Sequence, residues 1–276
     1  QVFNLVGTPG TVPTALLTYL SAGVALDNNA APQDDLRFLC ITPKMQAYIV
    51  DGLKGLFQAG STIAEQYRNG KIGSAIGFSW YMDQNVATHT NGGFGGTPVV
   101  RGADQTGTSL VTEGWTASTA TVKEGDVFTI AGVYQVNPQS RQSTGELQQF
   151  VVRADATSDG SGYMTLSIQP PITLAGAYQT VNALAANLAA MTFSGAASAT
   201  SPQGLAAHRD AFTFVCADLQ MPQGTDKAER VSSRKLGLAM RLVRDYDINT
   251  DKFPTRIDVL YGWAALRPEL ASRIAA

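Results

Sequence analysis

The sequence predicts an α+β protein with an antiparallel β-domain inserted into its chain. Helical apolar spacing lies near the start, at residues 14–25 and 42–56. Between residues 122 and 172, short alternating segments are separated by Gly-containing turns, which is typical of a small antiparallel barrel or sandwich. Strand-like segments return after residue 208. We therefore expect α+β ends around an all-β middle.

Two helices are expected before residue 60. The first follows Pro13, and its expected core face is formed by Leu16, Leu17, Leu20 and Val24. The second follows a strand at 36–41, with Thr42 as its cap and Pro43 as its first residue. Its apolar face is formed by Met45, Ile49, Leu53 and Leu56. A further helical turn is expected at 62–68.

The remaining strands are expected where apolar residues alternate or form short runs. They are 76–82, 122–133, 146–157, 163–172, 211–219, 236–247 and 256–266. Pro170 and Pro171 are expected to stop the strand at 163–172. Residues 178–190 are a weak match to a helix within an Ala-, Asn- and Ser-rich return connection.

Composition limits the classes of function. The 276 residues are 44% hydrophobic but only 15% charged, so polar uncharged residues or neighbouring molecules must cover the surface. A net charge of −2 and a pI near 5.7 exclude a large basic surface for nucleic acid. No apolar run approaches the ~18 residues that suggest a membrane helix. The chain begins at Gln1 and not at Met, which leaves a processed, truncated or fragmentary chain open.

The two cysteines, Cys40 and Cys216, lie in apolar strand-like segments and are expected to be free, buried thiols. Folding inside a cell follows from that expectation.

No catalytic constellation emerges, so neither enzyme activity nor a cofactor or metal is expected. His89 lies in a Gly- and Thr-rich loop. His208-Arg209-Asp210 is superficially similar to a kinase catalytic loop, but the other kinase motifs are missing. Gly70-Lys71 lacks the preceding Gly and the following Ser or Thr of a phosphate-binding loop. The glycines at 92–96 indicate a flexible loop.

An acidic segment near the end of the chain is the remaining charged feature. Asp245, Asp247, Asn249 and Asp251 have the spacing of a calcium loop, but Thr250 and Arg256 stand where calcium loops need Gly and Glu. We therefore expect an exposed turn whose charges pair across a subunit contact. The candidate residues for such contacts are Arg241, Arg244, Asp245, Asp247, Asp251 and Lys252.

Several segments together resemble the major capsid proteins of tailed double-stranded-DNA bacteriophages, in the short-tailed branch with an inserted β-barrel. They are 37–57, 65–86, 123–133, 208–224, 241–249 and 256–274, in the family order. In that family a strand ending in Tyr-Gly precedes Arg-Pro-Glu, as Tyr261-Gly262 and Arg267-Pro268-Glu269 do in this sequence.

The resemblance implies the capsid fold shared with herpesviruses. Residues 1–36 and 251–276 would belong to a peripheral domain, 37–87 and 207–250 to an axial domain, and 88–195 to the inserted β-barrel with its return connection. The family's N-terminal arm, extended loop and spine helix do not precede residue 1, so the chain is expected to start within the peripheral domain.

The same resemblance implies the function and the partners. Copies of the chain would form the pentamers and hexamers of an icosahedral shell around double-stranded DNA, without sequence-specific binding. Partners would be a scaffolding protein, a portal and a decoration protein, with no membrane. The protein would belong to the virion and be assembled in the cytoplasm of the host bacterium.

Two other classes of protein are weighed against this one. A phage tail, fibre or surface-binding β-protein would need an exposed aromatic cluster, whereas Trp80, Trp115 and Trp263 are scattered in the sequence. A hydrolase would need a convergent acid–base site, which the sequence does not show.

Overall fold

A computed structural model of the chain describes residues 2–52 and 73–276. The contacts divide the chain into two compact units. The main unit comprises Gln1–Ala211 and Arg267–Ala276, and the strand unit comprises Phe212–Leu266. The unit boundaries do not coincide with those of the axial and peripheral domains, whose assignment stays a prediction. The predicted positions of Leu53, Leu56, the helical turn at 62–68 and Gly70-Lys71 lie outside the described residues.

The described residues form mainly strands, with two α-helices, α1 (Leu16–Asn28) and α2 (Pro43–Gly52). The strands in chain order are β1 (Leu5–Val6), β2 (Arg37–Ile41), β3 (Ser74–Ala75), β4 (Phe78–Met82), β5 (Thr88–Thr90), β6 (Gly96–Val100), β7 (Gly107–Trp115), β8 (Thr121–Val122), β9 (Val127–Val136), β10 (Ser143–Val152), β11 (Ala156–Thr157), β12 (Met164–Ile172), β13 (Met191–Phe193), β14 (Thr200–His208), β15 (Phe212–Ala217), β16 (Lys227–Ser233), β17 (Leu238–Arg244), β18 (Thr255–Asp258), β19 (Leu260–Ala265) and β20 (Ala271–Ala275).

The host sheet of the main unit is mixed and has the order β1-β20-β14-β2-β4-β3, with β5 paired to the first half of β14. The β1–β20 and β2–β4 pairs are parallel, and the other pairs along this order are antiparallel. Strand β20 lies between β1 and β14, so the end of the chain is buried in the sheet. Both ends of the main unit's sequence therefore meet in one sheet.

The predicted core face of α1 is wrong. The helix buries Tyr19, Ala22 and Leu26, whereas Leu17 and Val24 are 71% and 48% exposed. The helix carries apolar residues on all of its sides, so their spacing does not decide which side is buried. The small Gly23 lies against the Phe78 ring of β4, where an added Cβ would be 3.5 Å away. The Tyr19 ring lies 5.3 Å from the Trp80 ring, and burial raises the pKa of Tyr19 to about 12.

The start of α2 follows the prediction closely. The Thr42 hydroxyl accepts a hydrogen bond from the Met45 N–H at 3.2 Å, which is the expected cap. Met45 and Ile49 are fully buried. The strand predicted at 76–82 is confirmed from residue 78 as β4. Its first two predicted residues, Ile76 and Gly77, both adopt positive φ and form the turn of a hairpin with β3.

Six strands of the main unit form a barrel in the order β13-β9-β10-β12-β7-β6. Backbone bonds between Val100 and the residues just before β13, Leu188 and Ala189, join the two end strands and close it. Large apolar side chains fill the interior and are almost completely buried, including Leu110, Phe128, Ile130, Phe150, Leu166 and Ile168. The inserted β-domain expected from the alternating segments is thus a nearly closed barrel.

Two expectations within the barrel are wrong. Strand β12 continues through Pro170 and Pro171 to Ile172, because the prolines lie where the β12–β7 register shifts and no regular ladder bond is required of them. Residues 178–190 form no helix. Their backbone bonds instead go to neighbouring barrel strands, with Asn182 N–H donating to the Tyr134 carbonyl and Leu188 N–H to that of Val100.

The strand unit consists of a two-stranded sheet, β15–β19, and a three-stranded sheet in the order β16-β17-β18. The strand predicted at 256–266 is therefore two strands, β18 and β19, that belong to different sheets. Strand β16, which was not predicted from the sequence, pairs with the whole length of β17. Here every segment except β17 is an edge strand or belongs to a two-stranded ribbon.

Candidate assembly surface

All six charged residues proposed for subunit contacts lie in the strand unit, on β17 or in the turn between β17 and β18. Arg241 belongs to the most ordered charge cluster: its Nε donates to Asp258 Oδ2 at 3.1 Å, and Arg256 Nε lies 2.8 Å from Asp258 Oδ1. The two guanidinium groups, Arg241 first, hold the pKa of Asp258 below its usual value. Arg241 thus ties β17 to β18 within the chain.

Arg244, at the end of β17, also has partners within the chain. Its Nε lies 3.3 Å from Asp226 Oδ2, and its guanidinium lies over the Phe253 ring at 4.6 Å from the centroid. Both arginines of β17 are thereby occupied by intrachain contacts.

The acidic turn is stabilised by local hydrogen bonds and does not form a metal cage. Asp247 accepts the Thr250 hydroxyl at 2.7 Å and the Asn249 N–H at 3.0 Å, and these bonds, Thr250 first, lower its pKa. Asp251 accepts the Tyr246 hydroxyl at 2.9 Å. Within the described ranges, no group of three or more His, Cys, Asp or Glu side chains is placed to hold a metal ion.

Asp245 and Lys252 differ from the other four residues. The Asp245 carboxylate accepts only the neighbouring Tyr246 N–H, at 2.9 Å, and Lys252 joins the turn through its backbone carbonyl. Among the residues that the structure describes, neither side chain forms an ion pair. These two charges are available to an outside partner.

A second feature, which the sequence reading missed, is an exposed aromatic patch on the β15–β19 ribbon. We define it as Phe214, Tyr261 and Trp263, which are 50%, 55% and 75% exposed. Phe214 is paired with Trp263 across the ribbon, and Tyr261 lies two residues before Trp263 on the same face. The Tyr261 ring centroid lies 6.1 Å from that of Phe214 and 5.7 Å from that of Trp263. The three rings form one surface.

The patch belongs to a unit with almost no core. Across 212–266, all of which the structure describes, Ala239 is the only fully buried residue. Large apolar side chains are exposed on both sheets and on the turns, and include Val215, Val231, Leu236, Met240, Ile248, Phe253, Ile257, Leu260 and Leu266. Exposed apolar surface of this extent is typical of interaction sites.

A sequence signal for the patch was present. Tyr261-Gly262-Trp263 places two aromatic rings at spacing two, hence on one face of a strand. What the sequence does not reveal is the absence of a second layer above that face, because this depends on which elements the fold places there.

The two histidines and Cys40 belong to the main unit, and Cys216 belongs to the strand unit. His89 faces the buried carboxylate of Asp126 at 2.8 Å, and His208 faces Asp34 at 3.0 Å. Neither lies in an exposed loop as a free side chain, so the expectation for His89 is wrong. Both cysteines are free but only half-buried, which corrects the expectation of full burial. Burial raises the pKa of the Cys40 thiol. No helix among the described residues is long and apolar enough to cross a membrane.

Comparison with known proteins assigns the family. Residues 32–273 match the family described as P22 coat protein - gene protein 5. The chain belongs to the P22 coat protein family. It is a tailed-phage major capsid protein, a structural subunit of the capsid. The aromatic patch was the feature expected of a fibre or surface-binding protein, but the family match favours the capsid.

Among solved structures, the chain is similar to the CUS-3 coat protein I-domain, with 26% sequence identity, over 35% of this chain and 94% of that chain, at a TM-score of 0.26. Comparison with curated proteins gives no match.

Proposed function

We propose that copies of this chain assemble into the pentamers and hexamers of an icosahedral shell around double-stranded DNA, and that the aromatic patch of the strand unit contacts a neighbouring copy. The observation that carries the proposal is the lack of a core in residues 212–266, together with membership of a coat protein family. A coat subunit meets its neighbours on several sides, so apolar surface that is open in one chain is covered in the shell.

The size of the patch supports its use in assembly. A fully buried aromatic side chain removes roughly 150–250 Å² from water, so three half-exposed rings offer on the order of 300 Å². Each partner in a standard interface contributes about 800 Å². The patch would therefore supply part of such an interface. The other face of the ribbon is also open, since Val215 and Leu260, which alternate with the patch residues, are 59% and 52% exposed.

Charge contacts are proposed at the turn between β17 and β18. Asp245 and Lys252 are the best candidates, because Arg241, Arg244, Asp247 and Asp251 already have partners within the chain. Exposed ion pairs contribute about 0–1 kcal/mol each, so they would set the register of the contact more than its strength.

The remaining features of the proposal follow the coat protein family. The shell would enclose DNA without binding it tightly, in keeping with a net charge of −2. A scaffolding protein, a portal and a decoration protein are the expected partners. Free cysteines suit assembly in the host cytoplasm, where thiols stay reduced. A shell subunit needs no catalysis.

The double substitution Tyr261→Ser with Trp263→Ser tests the proposal. We expect the yield of shells, measured by sedimentation and negative-stain microscopy, to fall at least tenfold. This corresponds to a loss of about 1.4 kcal/mol or more of association free energy per contact. The matched control is Tyr178→Ser, which removes an 86% exposed aromatic ring from a loop outside the strand unit. The control should assemble normally. Equal yields from the double variant and the control would contradict the proposed contact.

A further inference from the structure

The chain passes between the two units twice, and both passages begin beside short 3-10 turns of the main unit. The first turn, Arg209–Ala211, precedes Phe212, and the second, Pro268–Leu270, follows Leu266. The turns contact each other, and the Arg267 N–H donates to the Ala211 carbonyl at 3.2 Å. The place where the chain leaves the main unit is therefore also the place where it returns.

His208 is the last residue before the first turn, and it is 1% exposed. Its Nε2 lies 3.0 and 3.2 Å from the two carboxylate oxygens of Asp34, and its Nδ1 lies 3.2 Å from the backbone nitrogen of Asp210. An ionised carboxylate only accepts, and a backbone N–H only donates. Nε2 must therefore carry the hydrogen and Nδ1 must not. The geometry fits one tautomer of the neutral imidazole.

Two carboxylates, those of Asp34 and Asp210, face the two ring nitrogens. Asp34 is kept ionised by the Leu36 N–H and then by His208, which lower its pKa. On the turn itself, Asp210 Oδ2 lies 3.6 Å from Nδ1. The other charged groups of the elements around the ring are Arg37 opposite His208 on β2, Arg209, and the Arg267–Glu269 pair of the second turn.

We infer that His208 is a proton-operated latch on the turn from which the strand unit emerges. Protonation places a hydrogen on Nδ1, directly facing the Asp210 N–H, so that hydrogen bond is lost. The nearest new acceptor is the Asp210 carboxylate, whose Oδ2 lies 3.6 Å from Nδ1, and the turn shifts as Nδ1 exchanges the Asp210 N–H for this carboxylate. The neutral ring fits the latched turn. The latch therefore holds while the ring is neutral and opens when acidification protonates it. The inference goes beyond assembly, because it concerns a turn of the main unit and not a contact between copies.

The ring protons can be observed directly. The chain has only two histidines, so ¹⁵N-histidine labelling gives two sets of ring signals, and His208→Gln assigns them by subtraction. At pH 7.5 we expect the Nδ1 of His208 to have the chemical shift of an unprotonated nitrogen and Nε2 that of a protonated one. A protonated Nδ1 at this pH would overturn the inference, whatever the variant does. So would an absence of titration above pH 5.

Hydrogen exchange measures the opening. In the full chain we expect the exchange protection of residues 209–211 and 267–270, corrected for the intrinsic pH dependence, to fall about tenfold between pH 7.5 and 5.5. That is the change expected for one lost hydrogen bond. Barrel residues 150–152 are the internal control and should not change. His208→Gln should remove the pH dependence. Unchanged protection in the natural chain, or an equal loss in His208→Gln, would refute the latch.

Discussion

The barrel and the strand unit are both built from short antiparallel strands, yet they are stabilised in opposite ways. The barrel closes on itself, and large side chains such as Phe128, Phe150 and Leu166 are completely buried inside it. The strand unit leaves Trp263 and its apolar neighbours exposed and fully buries only Ala239. Because buried apolar area is the main source of folding free energy, we expect the barrel to complete its fold alone. The strand unit depends on other surfaces to complete its own.

The largest expected contrast is between the two regions expressed as separate fragments. Residues 88–195 should give a dispersed, β-type NMR spectrum, because the barrel contains a complete core. Residues 212–266 should give a narrow, unfolded spectrum, because a short chain without a core cannot offset the entropy of ordering. A dispersed spectrum from the second fragment would remove the basis of the comparison.

Single substitutions should show the same contrast on a smaller scale. Phe128→Ala should lower the free energy of unfolding by about 3–5 kcal/mol, because the ring is fully buried against Phe150 and Phe193. Phe214→Ala removes an equal side chain from the half-exposed patch and should cost under about 1 kcal/mol. Urea unfolding of the full chain, followed by barrel fluorescence, measures both. Similar costs would show that the patch is part of a core.

The polar junction between the barrel and the host sheet offers a third test. Asp126 is fully buried and accepts the Lys123 N–H at 2.7 Å, the Gly92 N–H at 3.1 Å and a bond from His89. Nearby, Arg273 of β20 donates to the Gly125 carbonyl at 2.9 Å, and burial lowers its pKa to about 10 against the opposing effect of Asp126. This junction fixes the barrel to the sheet.

Asp126→Asn should therefore cost about 1–3 kcal/mol, since the amide oxygen can still accept from the Lys123 and Gly92 N–H groups but the charge is lost and the amide NH₂ faces His89 Nε2. Asp155→Asn is the control, because Asp155 accepts the Glu124 N–H at an exposed position. Its cost should stay within about 0.5 kcal/mol. Thermal unfolding of the two variants gives the difference, and equal melting temperatures would argue against the junction.

Acid should separate the two regions by a smaller effect. The pKa of Asp258 is depressed in the folded chain, so its pairing with Arg241 and Arg256 stabilises the fold above the unfolded pKa, about 3.9. That contribution is lost as pH falls through the folded value. Variants that keep only Trp263 or only Trp115 report on the two regions. We expect the Trp263 signal to change first, below about pH 4. A simultaneous change at both sites would contradict this order.

The barrel strands could be predicted because apolar residues that alternate along a strand all lie on one face, and that face is buried. The segment 163–172 became β12, whose residues Met164, Leu166 and Ile168 point inwards. The core face of α1 could not be predicted, since apolar residues surround the helix and the Gly23–Phe78 contact is a property of the packed structure. Strand β20 was missed for a related reason. Its small residues have little preference for strands. They form a central strand because β1 and β14 pair with it on both sides.

The candidate surface, too, could be predicted only in part from the sequence. Sequence placed the six charged residues on one turn and strand, but it could not give their intrachain partners, because Asp226 and Asp258 come from other segments. The aromatic patch depends on the pairing of β15 with β19, two strands more than forty residues apart. Their register alone brings Phe214 opposite Trp263.

Hydrogen exchange of the free chain and of assembled shells tests the central claim that copies of this chain complete the strand unit. We predict that protection rises in the shell at β15 and β19, where the aromatic patch is covered. Barrel residues 150–152 should keep the protection that they already have in the free chain. Equal protection of β15 and β19 in the two states would contradict the claim.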